Sequence, residues 1–262
     1  MSAVLLQLFV SGLAMGFIYA LVGIEYTLIW NSTGLLNFSH DKIITLGAYV
    51  FGASMVLQYG LSKPLAIIAT FIVMFLIGCL IAAGIFNPLR NMRSNIFAIM
   101  GTMILGRIIA EFIRLFWGPV PFTVPDWLTG TFKFRNFTVT KANVIICLVS
   151  ALVVIVLQCF LSFTKTGKAM RCVAQNKKAS TLMGINVSQN ICITTGISAI
   201  ICATIGLLTI PLFTISTTMA TSIGLKGFSA GVIGGFGYIP GVIAGGIFIG
   251  IVENLAVTVL PA

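Results

Sequence analysis

Only five ionisable residues fall clearly inside the long apolar runs of this sequence: Glu25, Arg107, Glu111, Arg114 and Glu253. Arg107, Glu111 and Arg114 are spaced i, i+4 and i+7, so they share a helix face and can form a structural ion network. Glu25 and Glu253 are isolated acids, and a carboxyl group in a membrane span suggests a function by default. The alternative for both is a protonated carboxyl bonded to a neighbouring helix. Such a sparse set offers no catalytic constellation.

The sequence also contains no motif for a nucleotide site or a metal site. The pair Gly167-Lys168 is followed by Ala169 and preceded, at the required spacing, by Ser162, so it fails the phosphate-binding pattern G-x-x-x-x-G-K-[ST]. The single histidine, His40, has no ligand partner at metal-binding spacing, and the six cysteines contain no C-x-x-C pair. We therefore expect no cofactor and no metal bound by this chain.

Composition identifies the elements that must position these residues. Of 262 residues, 58% are hydrophobic and 8% are charged, whereas soluble domains carry about 25% charged residues. A soluble domain is therefore excluded, and the net charge of +10 indicates basic loops at a membrane rather than nucleic-acid binding. The expected fold is one all-α polytopic membrane domain covering residues 1–262.

Apolar runs of about 20 residues, the length that crosses a bilayer, predict about eight transmembrane helices, of which one or two are broken or re-entrant. Basic residues such as Lys42, Arg90 and Arg93 and the segment 164–188 fall on one side, which the positive-inside rule assigns to the cytoplasm. Residues 118–141 then form an extracytoplasmic loop, either an ordered cap or a plain linker. The expected spans cover roughly residues 4–30, 43–59, 64–86, 96–117, 142–163 and 191–213, with a final hairpin in 223–260 that turns near 237–240.

Small residues recur at a spacing that lets helix backbones approach closely. The alternative is a pore lined by exposed glycine backbone. The predicted packing residues are Gly12, Gly16, Gly227, Gly231, Gly234, Gly235, Gly241 and Gly245.

A polar cluster interrupts the apolar pattern between the first two spans. Asn37, Ser39 and His40, with Phe38 among them, follow Gly34 and precede Asp41. The cluster suits a polar turn. It also suits a broken helix that lines a pathway, because irregular backbone at membrane depth is tolerated beside a water-filled cavity.

The segment 164–188 has the pattern of a short basic helix. Thr166 can cap its start and Gly184 can end it. An apolar ridge of Met170, Val173 and Ala174, extended by Leu182 and Met183, lies beside a polar stripe of Lys168, Arg171, Gln175 and Lys178. Such a helix can bind anionic lipid or dock a soluble partner, and composition does not choose between them.

Four stretches resemble the branched-chain amino acid ABC permeases of the LivH type. Residues 166–186, TGKAMRCVAQNKKASTLMGIN, resemble the family's coupling loop, and residues 16–21, GFIYAL, its first span. Residues 34–40, GLLNFSH, followed by LGAY at 46–49, and the glycine-rich residues 225–241 resemble two further family motifs. The sequence departs from the family at Asp41, where glycine is usual, and at Glu25, where an apolar or small residue is usual.

This resemblance implies a permease subunit of an ATP-driven importer in the bacterial plasma membrane, most simply for branched-chain or related amino acids. It implies a second, LivM-like permease subunit, two ABC ATPase subunits that bind ATP and Mg, an extracytoplasmic substrate-binding protein, and no nucleic acid. An ATP-independent secondary transporter or channel for small polar solutes is the alternative, with Glu25 or Glu253 coupling protons.

Two groups of residues carry the implied function. The expected translocation-pathway residues are Glu25, Asn37, Phe38, Ser39 and His40. The expected ATPase-coupling residues are Thr166, Gly167, Lys168, Met170, Arg171, Gln175, Asn176, Ala179, Met183, Gly184 and Ile185.

Overall fold

The computed structural model describes residues 2–89, 95–125, 127–134 and 137–259. Within them, six helices are long and apolar enough to cross a membrane, which confirms the predicted all-α, multi-pass class. They are α1 (Ser2–Thr33), α3 (Lys63–Ile81), α5 (Asn95–Trp117), α6 (Lys141–Phe163), α9 (Val187–Thr209) and α11 (Ile239–Val259).

The other elements are shorter. Helix α2 (His40–Tyr49) continues as a π-helix over Val50–Gln58, and α3 continues as a π-helix over Ala82–Phe86 into the single turn α4 (Asn87–Leu89). Helices α7 (Lys165–Gln175), α8 (Lys177–Leu182) and α10 (Thr221–Gly234) and the antiparallel strands β1 (Thr131–Phe134) and β2 (Phe137–Thr140) complete the described chain.

Helix α10 refines the prediction of a final hairpin of two full spans. Its 14 residues extend about 21 Å at 1.5 Å per residue, which is less than the ~30 Å hydrocarbon core. The segment 210–220 returns from the end of α9 to the start of α10, so this part of the chain re-enters the protein rather than crossing it.

Helix α1 lies at the centre of the molecule and packs against α9, α10 and α11. From Ile18 to Ile29 its side chains are buried on every face, as expected for a helix that is apolar all round. The outer helices α3 and α6 instead leave large apolar side chains exposed, among them Ile72, Leu76, Leu148 and Leu152. An apolar exterior of this kind fits a protein that lies in lipid.

The predicted packing glycines bring helix backbones together within the chain. A Cβ atom built on Gly12 would lie 2.9 Å from the Gly250 carbonyl oxygen, and one on Gly16 would lie 2.8 Å from Ile247 Cα. Gly245 meets the Ala230 carbonyl oxygen in the same way, at 2.7 Å. Gly227, Gly231, Gly234 and Gly241 also lie against neighbouring atoms, whereas Gly235, with a φ of +84°, supplies the turn after α10.

The loop after α5 packs against the protein as an ordered cap. Phe122 forms a β-bridge with Ile215. The Trp127 indole donates a hydrogen bond to the Leu207 carbonyl oxygen at 3.0 Å, and its ring lies 4.7 Å from that of Phe51. The segment 165–183 instead contacts the C-terminal end of α1. The cap and this segment therefore lie at opposite ends of the bundle.

Candidate functional site

The first candidate region is the break between α1 and α2. Gly34 leaves α1 with a φ of +72°, a conformation that favours glycine. The Asn37 side-chain oxygen then accepts hydrogen bonds from the Ser39 N–H at 3.0 Å and the Ser39 hydroxyl at 2.6 Å. An Asn that bonds to backbone two residues ahead is a typical turn former, and here it fixes the start of α2.

The predicted pathway residues of this break are buried in the subunit. Asn37, Ser39 and His40 are almost inaccessible. The Phe38 N–H donates to the Thr102 hydroxyl of α5 at 3.2 Å, and the His40 ring centroid lies 4.0 Å from that of Tyr26. These residues therefore pack inside the subunit, and their role in lining a translocation pathway stays a prediction.

The two isolated acids occupy different surroundings. Glu25 is fully buried, and one of its oxygens accepts a hydrogen bond from the Ser198 hydroxyl at 2.7 Å, which ties α1 to α9. Its other oxygen has no hydrogen-bond partner among the described residues. Glu253 accepts a hydrogen bond from the Tyr19 hydroxyl at 2.9 Å and forms an ion pair with Lys226 of α10. The interpretation of Glu253 as an isolated acid is therefore wrong.

The segment 210–220 between α9 and α10 forms a second break, and it places the start of α10 beside the start of α2. Lys42 Nζ lies 3.0 Å from Asp41 Oδ2 and donates to the Thr221 hydroxyl, also at 3.0 Å. The Thr221 hydroxyl donates to Asp41 Oδ2 at 3.2 Å, and Lys42 also reaches the Thr217 carbonyl oxygen at 3.5 Å. We call Asp41, Lys42, Thr217 and Thr221 the junction cluster.

The junction cluster corrects the predicted position of Lys42. The prediction that Lys42 lies in a loop is wrong, because the residue lies in the first turn of α2. Its assignment to the cytoplasmic side stays a prediction. The adjacent His40 packs on Tyr26, which is seven residues before the end of α1 at Thr33 and therefore about 10 Å from that end. Arg90 and Arg93, which were counted with Lys42, lie outside the described residues.

The predicted ion network on α5 is partly formed. Arg114 pairs with Glu111 at 3.2 Å, and their side chains are 53% and 60% exposed. Arg107 is also exposed, near the middle of α5 rather than near its end. We expect an exposed charge at that depth to face another protein subunit or water.

The second candidate region, residues 165–183, consists of two helices rather than one, and we call it the coupling segment. The predicted cap at Thr166 is wrong, because the Thr164 hydroxyl accepts the hydrogen bond from the Gly167 N–H at 2.9 Å. The Asn176 side chain then interrupts the helix and caps α8 by accepting from the Ala179 N–H at 3.1 Å. Gly184 ends the segment with a φ of +81°.

The predicted apolar ridge is divided into a buried part and an exposed part. Met170 is only 6% exposed and Val173 is buried with it against the chain's own helices, so Met170 is not an outward anchor. Leu182 and Met183 are 90% and 80% exposed. The remaining coupling residues distribute as follows: Gly167 is buried, Thr166 and Ile185 are half-buried, and Lys168, Arg171, Gln175, Asn176, Ala179 and Gly184 are exposed.

Two basic residues tie the coupling segment to the spans. Lys177 Nζ donates a hydrogen bond to the Thr33 carbonyl oxygen at the end of α1. Arg171 donates to the Ser162 hydroxyl at 2.9 Å. The role of Lys177 is not predictable from the sequence, since nothing in the pattern distinguishes it from Lys178. The junction cluster is also absent from the predicted site, although two opposite charges directly after the break are a usable signal.

The sequence is similar to known proteins of one family. Residues 8–262 match the family described as branched-chain amino acid transport system, permease component. Over 201 residues the chain is 28% identical to the high-affinity branched-chain amino acid transport system permease protein LivH of Salmonella typhimurium and 29% identical to the corresponding protein BraD of Pseudomonas aeruginosa. These matches cover 72% of this chain and 65% of each relative. No solved structure matches the chain.

Proposed function

Because the chain belongs to the permease components of branched-chain amino acid transport systems, we propose that it is a membrane subunit of an ATP-driven importer in the bacterial plasma membrane. Its substrates are branched-chain or related amino acids. A second permease subunit supplies the other half of the pathway, and an extracytoplasmic binding protein delivers the substrate. Two ATPase subunits bind ATP and Mg, so this chain itself catalyses no reaction.

The two-sided coupling segment is the observation that supports this proposal. One side of the segment, with Met170 and Val173, is buried in the chain, while Leu182 and Met183 project from the other side. Exposed apolar side chains on the same helix as the cation Lys178 suit docking into an apolar groove on a partner, with the charge setting register. A lipid anchor would depend on total positive charge instead.

Contacts of the coupling segment provide a route from an ATPase to the pathway. Lys177 holds the Thr33 carbonyl oxygen at the end of α1, and the break that begins at Gly34 leads directly into α2. A displacement of α8 therefore acts on the α1 side of this break, directly before the chain enters α2. We propose that ATPase closure moves the start of α2 in this way.

The experiment that tests the proposal is affinity purification of the tagged chain from native membranes, followed by reconstitution into vesicles. We expect two ATPase subunits and a second permease subunit to co-purify. We also expect leucine uptake that requires ATP and the binding protein. Leucine uptake by the purified chain alone, without ATPases, would favour the ATP-independent alternative.

The double variant Leu182→Asp with Met183→Asp locates the docking surface. Interface anchors contribute about 2 kcal/mol or more each, so we expect this variant to insert normally and lose its ATPase subunits. The matched control is Lys165→Gln with Lys168→Gln, which removes two positive charges and keeps the apolar tip. ATPase loss in the control and retention in the double variant would identify the segment as a lipid anchor.

A further inference from the structure

The junction cluster joins two opposite charges at the meeting point of two helix starts. Lys42 and Asp41, whose side chains are 17% and 15% exposed, lie in the first turn of α2, and Thr221 is the first residue of α10. The Thr221 hydroxyl accepts from Lys42 and donates to Asp41. The cluster is thus a closed but accessible network of one cation, one anion and one hydroxyl.

The position of the cluster makes a purely structural ion pair an expensive choice. Taking two charges out of water is costly, and the Asp41 and Lys42 side chains are largely withdrawn from solvent. Here the charges lie beside an irregular segment on each side, and half-helices that begin inside a membrane protein point the positive ends of their dipoles at bound anions. Next to Asp41, the buried Nε2 of His40 has no hydrogen-bond partner among the described residues, and it lies against Gly224 of α10.

The charges of the cluster match those of a free amino acid. The Lys42 ammonium and the first N–H groups of the two helices suit an α-carboxylate, and the Asp41 carboxylate suits an α-ammonium. The cluster has one charge of each sign. When a zwitterion binds, its carboxylate takes the place of Asp41 beside Lys42, and its ammonium takes the place of Lys42 beside Asp41. Leu225, one turn beyond Thr221 on the same exposed face of α10, offers an apolar contact for an aliphatic side chain.

We propose that Asp41, Lys42 and Thr221 form the subsite that holds the α-carboxylate and α-ammonium groups of a zwitterionic amino acid during its passage. The Asp41–Lys42 pair opens when the substrate arrives and closes when it leaves. This inference rests on the proposed importer function and adds to it the chemical groups that are recognised and the residues that recognise them.

The test measures uptake of radiolabelled leucine by the complete complex in vesicles, with ATP hydrolysis stimulated by the binding protein measured in parallel. Asp41→Asn and Lys42→Gln each remove one partner of a close charge pair. We expect each variant to lower leucine uptake about tenfold or more. ATP hydrolysis should persist, because both variants leave the exposed side of the coupling segment unchanged. Glu111→Gln, which breaks the exposed pair with Arg114 on α5, is the matched control and should stay within about twofold of the wild type.

The exchanged variant, Asp41→Lys with Lys42→Asp, separates recognition from structure. It keeps an ion pair but reverses its polarity against the fixed helix dipoles, so uptake should remain low. Recovery of uptake to near the wild-type rate would overturn the proposal and make the pair structural. Unchanged uptake in both single variants would overturn it as well.

A second pair of variants covers the case in which the charge variants fail to assemble. Thr221 is exposed, so Thr221→Val and Thr221→Ser should both fold. Loss of the hydroxyl should lower uptake about fivefold in Thr221→Val only, the scale of one hydrogen bond, and equal uptake in the two variants would refute the subsite. If the wild-type complex takes up no leucine, the importer proposal fails before any variant is compared.

Discussion

The bundle of α1, α10 and α11 and the coupling segment use their surfaces in contrasting ways. In the bundle, glycines such as Gly16 and Gly245 press backbone against backbone, so the contacts are satisfied within the chain. The coupling segment buries Met170 and Val173 but leaves Leu182 and Met183 in the open. The difference separates a bundle whose packing is complete within the chain from a segment with an exposed apolar side, which under the proposed function contacts an ATPase subunit.

The largest expected effect is in the bundle. Gly16→Leu would place a side chain against the backbone of α11, where a Cβ alone would lie 2.8 Å from Ile247 Cα. Overpacking by a few methylene groups typically costs about 1–3 kcal/mol, and a whole leucine side chain against the backbone of α11, which cannot move aside, costs enough to prevent folding. We expect little folded protein by size-exclusion chromatography of detergent extracts. Gly84→Leu is the control, because nothing lies within 4 Å of a Cβ there, and equal yields would show that the bundle is not rigid.

A smaller effect, of a different kind, is expected at the two faces of the coupling segment. Met170→Ala removes a buried side chain and should lower the thermal stability of the isolated subunit by about 2–5 kcal/mol. Met183→Ala should leave that stability within about 0.5 kcal/mol of the wild type, as for other surface changes, and weaken ATPase binding instead. Thermal unfolding of the subunit checks the predicted stabilities, and co-purification of the ATPases checks the predicted loss of binding. A stability loss in Met183→Ala would remove the distinction between the faces.

Lys177 forms one of the connections between the coupling segment and α1. Lys177→Met removes the donor to the Thr33 carbonyl oxygen, and hydrogen bonds to charged groups contribute about 1.5–3 kcal/mol. We expect leucine uptake to fall while ATP hydrolysis continues, so the ratio of molecules transported to ATP hydrolysed should decrease. Lys178→Met, at the exposed neighbouring position, serves as the control. Equal ratios in the two variants would mean that Lys177 transmits nothing.

The smallest effect is expected at Glu25. The Ser198 hydroxyl donates to its carboxyl group at 2.7 Å, and the amide oxygen of Glu25→Gln can accept the same hydrogen bond. Uptake by Glu25→Gln should therefore stay near the wild-type rate, whereas Glu25→Leu should leave the Ser198 hydroxyl unpaired and cost about 1–3 kcal/mol of stability. Uptake is measured across a range of external pH. A strict dependence of wild-type uptake on protons, together with loss of uptake in Glu25→Gln, would show that Glu25 couples protons.

Sequence patterns predicted what depends on local composition and spacing. The six long apolar helices, the break after α1 and the glycines of the bundle follow from runs and repeats that can be counted. The pairing of Lys226 with Glu253 and of Lys42 with Thr221 joins residues far apart in the chain, so no local pattern contains it. The division of the apolar ridge was missed because Asn176 breaks the helix, which turns Leu182 away from Met170.

The most direct test of the two-sided coupling segment is thiol labelling in a variant whose native cysteines are replaced. Met183→Cys and Met170→Cys are each exposed to a water-soluble maleimide, first in the isolated subunit and then in the assembled complex. We predict that Met183→Cys reacts in the isolated subunit and is protected in the complex, while Met170→Cys is unreactive in both. Continued labelling of Met183→Cys in a complex that hydrolyses ATP and takes up leucine would contradict the account.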